Sequence, residues 1–226
     1  VSGGAGLLPD GRRVRRARGW RLYDQAGERY ADFWQAGGSA FLGHRPGSLA
    51  RTVAAEIDRG LWAPLPTPWQ ARLERSLARL AQRIGSRQLF LPEDGLARSL
   101  PRWYPLSEEP APEEALVILP FPAAREGASS LLQAGLAVAS ELLRHYLDSP
   151  EAQERLDLAR SLPVPPGWKR DGLYWIPSPQ AVLPRHEALR RGILLPPTPG
   201  ERLICPGELS RRERKNWEAL CGCWTG

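Results

Sequence analysis

A fold that mixes strands and helices is predicted from three features of the sequence. Alternating, aromatic-rich stretches Trp20-Arg21-Leu22-Tyr23 and Arg29-Tyr30-Ala31-Asp32-Phe33 flank a turn-forming Asp24-Gln25-Ala26-Gly27, the pattern of a β-hairpin. Two long stretches then carry apolar residues at helical spacing: Leu73, Leu77, Leu80 and Ile84, and later Leu132, Leu136, Ala139, Leu143 and Tyr146. Short apolar runs return after each helix. The 226 residues suffice for one domain of fair size or two small ones, with a real core.

In chain order, residues 1–18 are glycine-rich and then arginine-rich, with Arg12, Arg13, Arg15, Arg16 and Arg18. They read as a solvated basic tail leading into the hairpin; no aromatic is interleaved for nucleic-acid binding. Gly37-Gly38 and Gly43 allow tight turns. Ser48 is expected to cap a helix with Leu49, Val53 and Ile57 on one face, ending near Gly60. Thr67 as N-cap, Pro68 at the first helical position and Gln70 two residues on open the next helix, which Gly85 stops. Gln88 to Leu91 reads as a strand, Glu93 to Leu100 as a short helix, 101–114 as a Pro/Glu-rich loop and Ala115 to Leu119 as a buried strand. A long helix over 129–147 precedes one opened by Ser149-Pro150-Glu151, with Leu156 and Leu158-Ala159 within it. Strands follow at Gly172 to Ile176, Ile193 to Leu195 and Leu203 to Cys205, with a short helix from Arg185 to Arg191. Ser210-Arg211-Arg212-Glu213 is a capping box for a last helix carrying Trp217 and Leu220.

Composition narrows function mainly by exclusion. The net charge is +6, carried almost wholly by arginine; Lys169 and Lys215 are the lysines. That charge is ordinary for solubility. No apolar run approaches a membrane span. The N-terminus lacks a signal-peptide pattern, and a cytoplasmic location is expected. Cys205, Cys221 and Cys223 make no disulfide framework. His44, His145 and His186 lack metal-ligand spacing. There is no phosphate-binding loop, dinucleotide fingerprint or nucleophile elbow. Glu108-Glu109 and Glu113-Glu114 read as solvating charge in a loop.

The order of these pieces resembles a known family. The stretch GWRLYDQAGERYADFWQAGGSAFLGHRPGSLARTVAAEIDRG is similar to the N-terminal segment of class III aminotransferases, the fold-type-I pyridoxal-phosphate enzymes, with glutamate-1-semialdehyde aminomutase as the nearest kind. Asp24, Gly27, Tyr30 and Asp32 fill the family's hairpin positions. Gly43, His44 and Pro46 approximate its G-H-x-x-P, with the proline one place early. Further on, the helices at 129–147 and 150–160, then Arg170, Asp171, Gly172 and Leu173, resemble the passage into the family's C-terminal small domain. ALRRGILLPPTPGERLICPGELSRRERKNWEAL is similar to its ending.

The resemblance implies an α/β fold: an aminotransferase small domain built from both chain ends, with a much reduced fold-type-I large domain between them. The expected segments are a basic tail (1–18), an N-terminal aminotransferase-like segment (19–85), a large-domain remnant (86–128) and a C-terminal segment (129–226). Trp34, Trp62 and Trp69 would line a cleft, and Gly38, Ser39, Gly43 and His44 would belong to a vestigial ligand site; no metal site and no catalytic residue is expected. His44 reads first as a structural hydrogen-bonder at a helix entrance. Lys169, in a Gly-Trp-Lys-Arg-Asp-Gly turn, and Lys215, on a charged helix, do not match the family's Schiff-base lysine. Pyridoxal phosphate is therefore not expected to be bound covalently. The expected role is protein interaction or regulation, as a homodimer or as a heteromer with a full-length aminotransferase. The alternatives are an amino- or keto-acid-binding protein, a transaminase whose lysine comes from a partner chain, and nucleic-acid binding through Arg12 to Arg18 and Arg211 to Lys215, which is the least favoured.

Overall fold

The computed structural model describes residue 8 and residues 12–61, 63, 65–84 and 129–224; the strand and helix expected between 86 and 128, and Trp62, lie outside the described residues. The chain divides into two compact units. The first takes both chain ends, Val1–His44 and Glu151–Gly226; the second takes Arg45–Pro150.

In the first unit, β1 (Val14–Arg18), β2 (Arg21–Asp24) and β3 (Arg29–Asp32) form an antiparallel meander. The basic tail was expected to end where the hairpin starts. Residues 14–18 instead pair with β2 through Ala17↔Leu22 and Arg18↔Arg21. The strand was hidden because four of its five residues are exposed, so backbone pairing holds it and no apolar alternation marks it. Its arginines line a sheet edge, where charge discourages further pairing.

The helix α4 (Pro150–Ser161) lies almost wholly in this unit and buries Ala152, Arg155 and Ala159. A hairpin follows: β4 (Trp168–Asp171) pairs with β5 (Tyr174–Pro177) around Gly172-Leu173. The strand expected at Gly172 to Ile176 is β5, starting two residues later, and β4 before it was not expected. Lys169 sits on β4, not in a turn, because the chain turns three residues later, at Gly172-Leu173. The short helix α5 (Arg185–Arg190) leads to β6 (Ile193–Leu194), which lies parallel to β3 and completes a four-stranded sheet. β7 (Leu203–Ile204) adds antiparallel to β5 in a three-stranded sheet.

Phe33 joins the two sheets. Its N–H donates to Leu194 O (3.0 Å) and its carbonyl accepts from Ile204 N (2.7 Å). Its ring stacks on Trp217 at 4.2 Å, with Trp175 tilted against both. All three side chains are fully buried, and such aromatic contacts add to plain area burial.

The last helix, α6 (Arg211–Gly222), carries the expected capping box: Ser210 Oγ accepts from Glu213 N, and Glu213 Oε2 accepts from Ser210 N (2.7 Å). Glu213 also accepts two hydrogen bonds from Arg21, at 2.9 and 3.0 Å. Burial opposes its ionisation, but the donors of Arg21 and Ser210 outweigh it and hold the carboxyl at about 2.

The second unit holds three described helices. α1 (Gly47–Asp58) and α2 (Trp69–Ile84) both pack on α3 (Ser130–Leu147). Leu73, Leu77 and Leu80 are buried as their spacing predicts. Ser129 caps α3 by accepting from Leu132 N. Lying between two helices, α3 buries more than the single expected face, including Ala134, Ala137, Val138 and Ser140. Across α2 and α3, Arg72 donates twice to Glu141, which also accepts from Ser76.

Details of α1 depart from expectation. Pro46 precedes the first helical residue, so Ser48 lies inside the first turn and caps nothing. Leu49 and Val53 lie over Gly135 of α3, but Ile57 is half exposed and Glu56 is the buried residue. The α2 start is also shifted by one: Trp69 is its first residue, and Thr67 Oγ1 accepts from Trp69 N. No described helix is long and apolar enough to cross a membrane.

Two outcomes follow from this packing. Gly192 precedes β6 with φ +70°, and a Cβ there would stand 2.9 Å from Arg29 O. Gly192→Ala should lower stability by about 1–3 kcal/mol, read by urea denaturation. Glu213 supplies a pH dependence. Its folded value of about 2 lies below the ordinary 4.5, so its stabilisation is complete above pH 4.5 and is lost as pH falls toward 2. Melting temperatures between about pH 6 and about pH 2 should fall less steeply in Glu213→Gln than in the parent chain.

Candidate functional site

The stretch 32–44 is held by buried polar groups that start at the end of β3. Asp32 is fully buried. Its Oδ1 accepts from Trp34 N (2.9 Å) and Gln35 N (2.7 Å), and its Oδ2 lies 2.7 Å from His44 Nε2. These bonds lock an uncommon backbone: Gln35, Ala36, Gly37 and Gly38 all have positive φ, between 51° and 96°. For Gln35 and Ala36 this left-handed turn is strained, and it persists because its surroundings over-determine it.

The Gln35 side chain is the next constraint. It is buried, and its Nε2 donates toward the carbonyls of Ile204 (3.2 Å) and Cys205 (3.3 Å). Its Oε1 accepts from Arg155 Nη2 at 3.0 Å. Arg155 itself is fully buried. Its Nε (2.8 Å) and Nη2 (2.6 Å) donate to Cys205 O, and its Nη1 donates to Phe41 O at 2.8 Å. The guanidinium carbon lies 4.2 Å from the centroid of Phe41 and 5.3 Å from that of Trp20. These oxygens are neutral, so carbonyl dipoles and ring faces take the place of a counter-ion.

The Gly43-His44 pair is a strap across the β1–β2 turn. His44 N donates to Gly19 O (2.6 Å), and Gly19 N donates to His44 O (3.2 Å). Gly43 has φ +82°, and a Cβ there would meet the Gly19 backbone at 3.1 Å. Glycine is needed on both counts. Trp34 Nε1 donates to Glu201 Oε2 at 2.6 Å, and its ring packs beside Leu8, Leu22, Tyr30 and Leu194.

Of the residues expected at a vestigial ligand site, Trp34, Gly38, Ser39, Gly43 and His44 thus share one loop of the first unit. Ser39 N donates to Ala36 O, and Gly38 O accepts from Phe41 N. Trp69 belongs to the second unit, where Arg72 lies over its ring at 4.8 Å. Sequence reasoning missed Arg155 and Gln35. Arg155 had a signal: it shares a face of α4 with Ala152 and Ala159, small residues that mark a buried side.

The cysteines are free, and burial pushes the thiols of Cys205 and Cys221 up to about 12, away from thiolate chemistry. Among the described residues no three His, Cys, Asp or Glu side chains converge as a metal set.

No family model matches the chain. An uncharacterized protein of Treponema pallidum (strain Nichols) is 31% identical over 178 residues, covering 67% of this chain and 57% of that protein. A glutamate-1-semialdehyde 2,1-aminomutase of Syntrophobacter fumaroxidans is 30% identical over 71 residues, 31% of this chain and 16% of that protein. The chain therefore spans little more than half of the first relative and a small part of the second. Among solved structures, an omega-transaminase from Sphaerobacter thermophilus superposes with a TM-score of 0.56 at 11% identity, covering 98% of this chain and 92% of that one. The chain has the mixed α/β fold of the class III pyridoxal-phosphate aminotransferases.

Arg155 offers the sharpest test of this site. Arg155→Met keeps the bulk but removes four hydrogen bonds; it leaves the Gln35 amide oxygen without its donor, while Phe41 O keeps Trp20 Nε1 and Cys205 O keeps Gln35 Nε2. We expect a stability loss of about 1–3 kcal/mol in urea denaturation, since a buried acceptor left unpaired carries its full desolvation cost.

Proposed function

We propose that this aminotransferase-like chain works without transamination, by binding a protein: a second copy of itself or a full-length aminotransferase. The observation that carries the reading is the placement of its lysines. Lys169 on β4 and Lys215 on α6 are the lysines of the 226 residues, and both are exposed. A Schiff-base lysine must be held against its cofactor in a water-poor site and must give up its proton there. An exposed ammonium is poorly suited to that task.

Two buried aspartates, Asp24 and Asp32, add to this. Pyridoxal phosphate needs a carboxylate free to face its ring nitrogen. Asp24 is committed to Arg12, Tyr30 Oη and Glu28 N, and Asp32 to His44 and two backbone N–H groups. Neither the two exposed lysines nor these two buried aspartates fit this cofactor. Association remains as the role for a retained fold, because aminotransferases of the resembled family use both subunits to build their sites.

Two measurements test the reading. Incubation with pyridoxal phosphate followed by borohydride should leave no stoichiometric pyridoxyl adduct on Lys169 or Lys215 by mass spectrometry. A full adduct accompanied by amino-group transfer would sink the non-catalytic reading. Light scattering on a size-exclusion column should give a mass of twice the 25.1 kDa chain, or a complex when a full-length aminotransferase is added. A monomer under both conditions would rule out the proposed partners.

A further inference from the structure

Two arginine-bearing stretches far apart in the sequence, one before β1 and one at the start of α6, meet at a single cleft of the first unit. Arg12, Arg29, Arg190, Arg191 and Arg212 line a cavity of about 900 Å3. Among the described residues, Glu28 is the one carboxylate on its wall. Three further carboxylates take part of the charge. Asp24 lies 3.0 Å from Arg12 Nη1, Glu213 lies 3.3 Å from Arg29 Nε, and Glu187 lies 2.7 Å from Arg191 Nε and 3.5 Å from Arg190 Nε. Asp24 and Glu213 are buried behind the arginines. The closest contact in each pair is made by one guanidinium nitrogen, whereas a guanidinium carries five N–H donors. Arg212 is exposed and pairs with no carboxylate among the described residues.

The walls are set before any ligand arrives. Asn216 Nδ2 donates to Arg191 O at 2.7 Å, which pins the turn between α5 and β6 to α6. Gly192, whose side-chain-free Cα permits the approach to Arg29 O, completes that wall.

We propose that this cleft binds a compact oligophosphate, a small molecule carrying two or three linked phosphate groups. Planar guanidinium forks match phosphate oxygens two at a time, and several forks around one cavity suit several linked oxyanions. The volume falls in the range of small-molecule sites. A single-stranded nucleic acid would need aromatic platforms for its bases. Of the two ring-bearing residues on the wall, Tyr30 is 3% exposed and donates its hydroxyl to Asp24, which leaves the single imidazole of His186 and no run of platforms. The proposal stands apart from the lysine argument above, so either can fail alone.

Calorimetric titration of the whole chain with sodium tripolyphosphate at about 0.05 M salt tests the site, since low salt leaves surface charge least screened. Arg190→Ala/Arg212→Ala removes two exposed guanidiniums, and Arg212→Glu serves as a second variant. Arg160→Ala/Lys215→Ala removes the same charge outside the cleft. The cleft variants should weaken binding about tenfold or more and the control less than about threefold. The proposal is overturned by no tripolyphosphate binding, by equal losses in cleft and control variants, or by citrate binding as tightly. A single-stranded oligonucleotide that binds and is not displaced by tripolyphosphate would overturn it in favour of nucleic acid.

Discussion

The first unit depends on one buried cation. Arg155 reaches from α4 to the carbonyl after β7, to the carbonyl of Phe41 and to the side chain of Gln35. Three chain segments that share no secondary structure are thereby held to one point. A buried charge is costly unless its donors are met. Here four hydrogen bonds and two ring faces meet them, so each partner is held in place by the cost of losing it.

That constraint explains the strained loop beside it. Gln35 and Ala36 take left-handed conformations that L-residues avoid. Asp32 holds the loop from one side through backbone N–H groups, and Arg155 holds it from the other through the Gln35 amide. The His44–Asp32 contact and the Gly19–His44 bridge then close the loop onto the β1–β2 turn. In this setting Gly43-His44 works as a fastening.

Elements with a local rule were legible in the sequence. The hairpin of β2 and β3, the capping box of α6 and the Leu73–Leu77–Leu80 stripe each follow from neighbouring residues. What escaped depends on distant partners. β1 has no buried face to announce it, and Glu56 is buried where the apolar spacing of α1 had favoured Ile57. Of the site, the glycines and His44 were visible. The role of Asp32 was seen only as a hairpin position, and Arg155 was hidden among the chain's many arginines, most of them solvated. The cleft arginines were noticed as two separate basic stretches; only the fold brings Arg12 and Arg212 together.

The first unit is closed by strand pairing between residues as far apart as Ala31 and Ile193. On the ribosome, β3 emerges long before β6 exists, whereas the helices of residues 45–150 are complete much earlier. The inserted unit can therefore gain its structure first, while the N-terminal strands wait for their partner. The entropy of closing such a loop grows only with the logarithm of its length, about 0.6 kcal/mol per doubling. The intervening segment can thus lengthen or shrink over evolutionary time with little thermodynamic effect on the unit that encloses it.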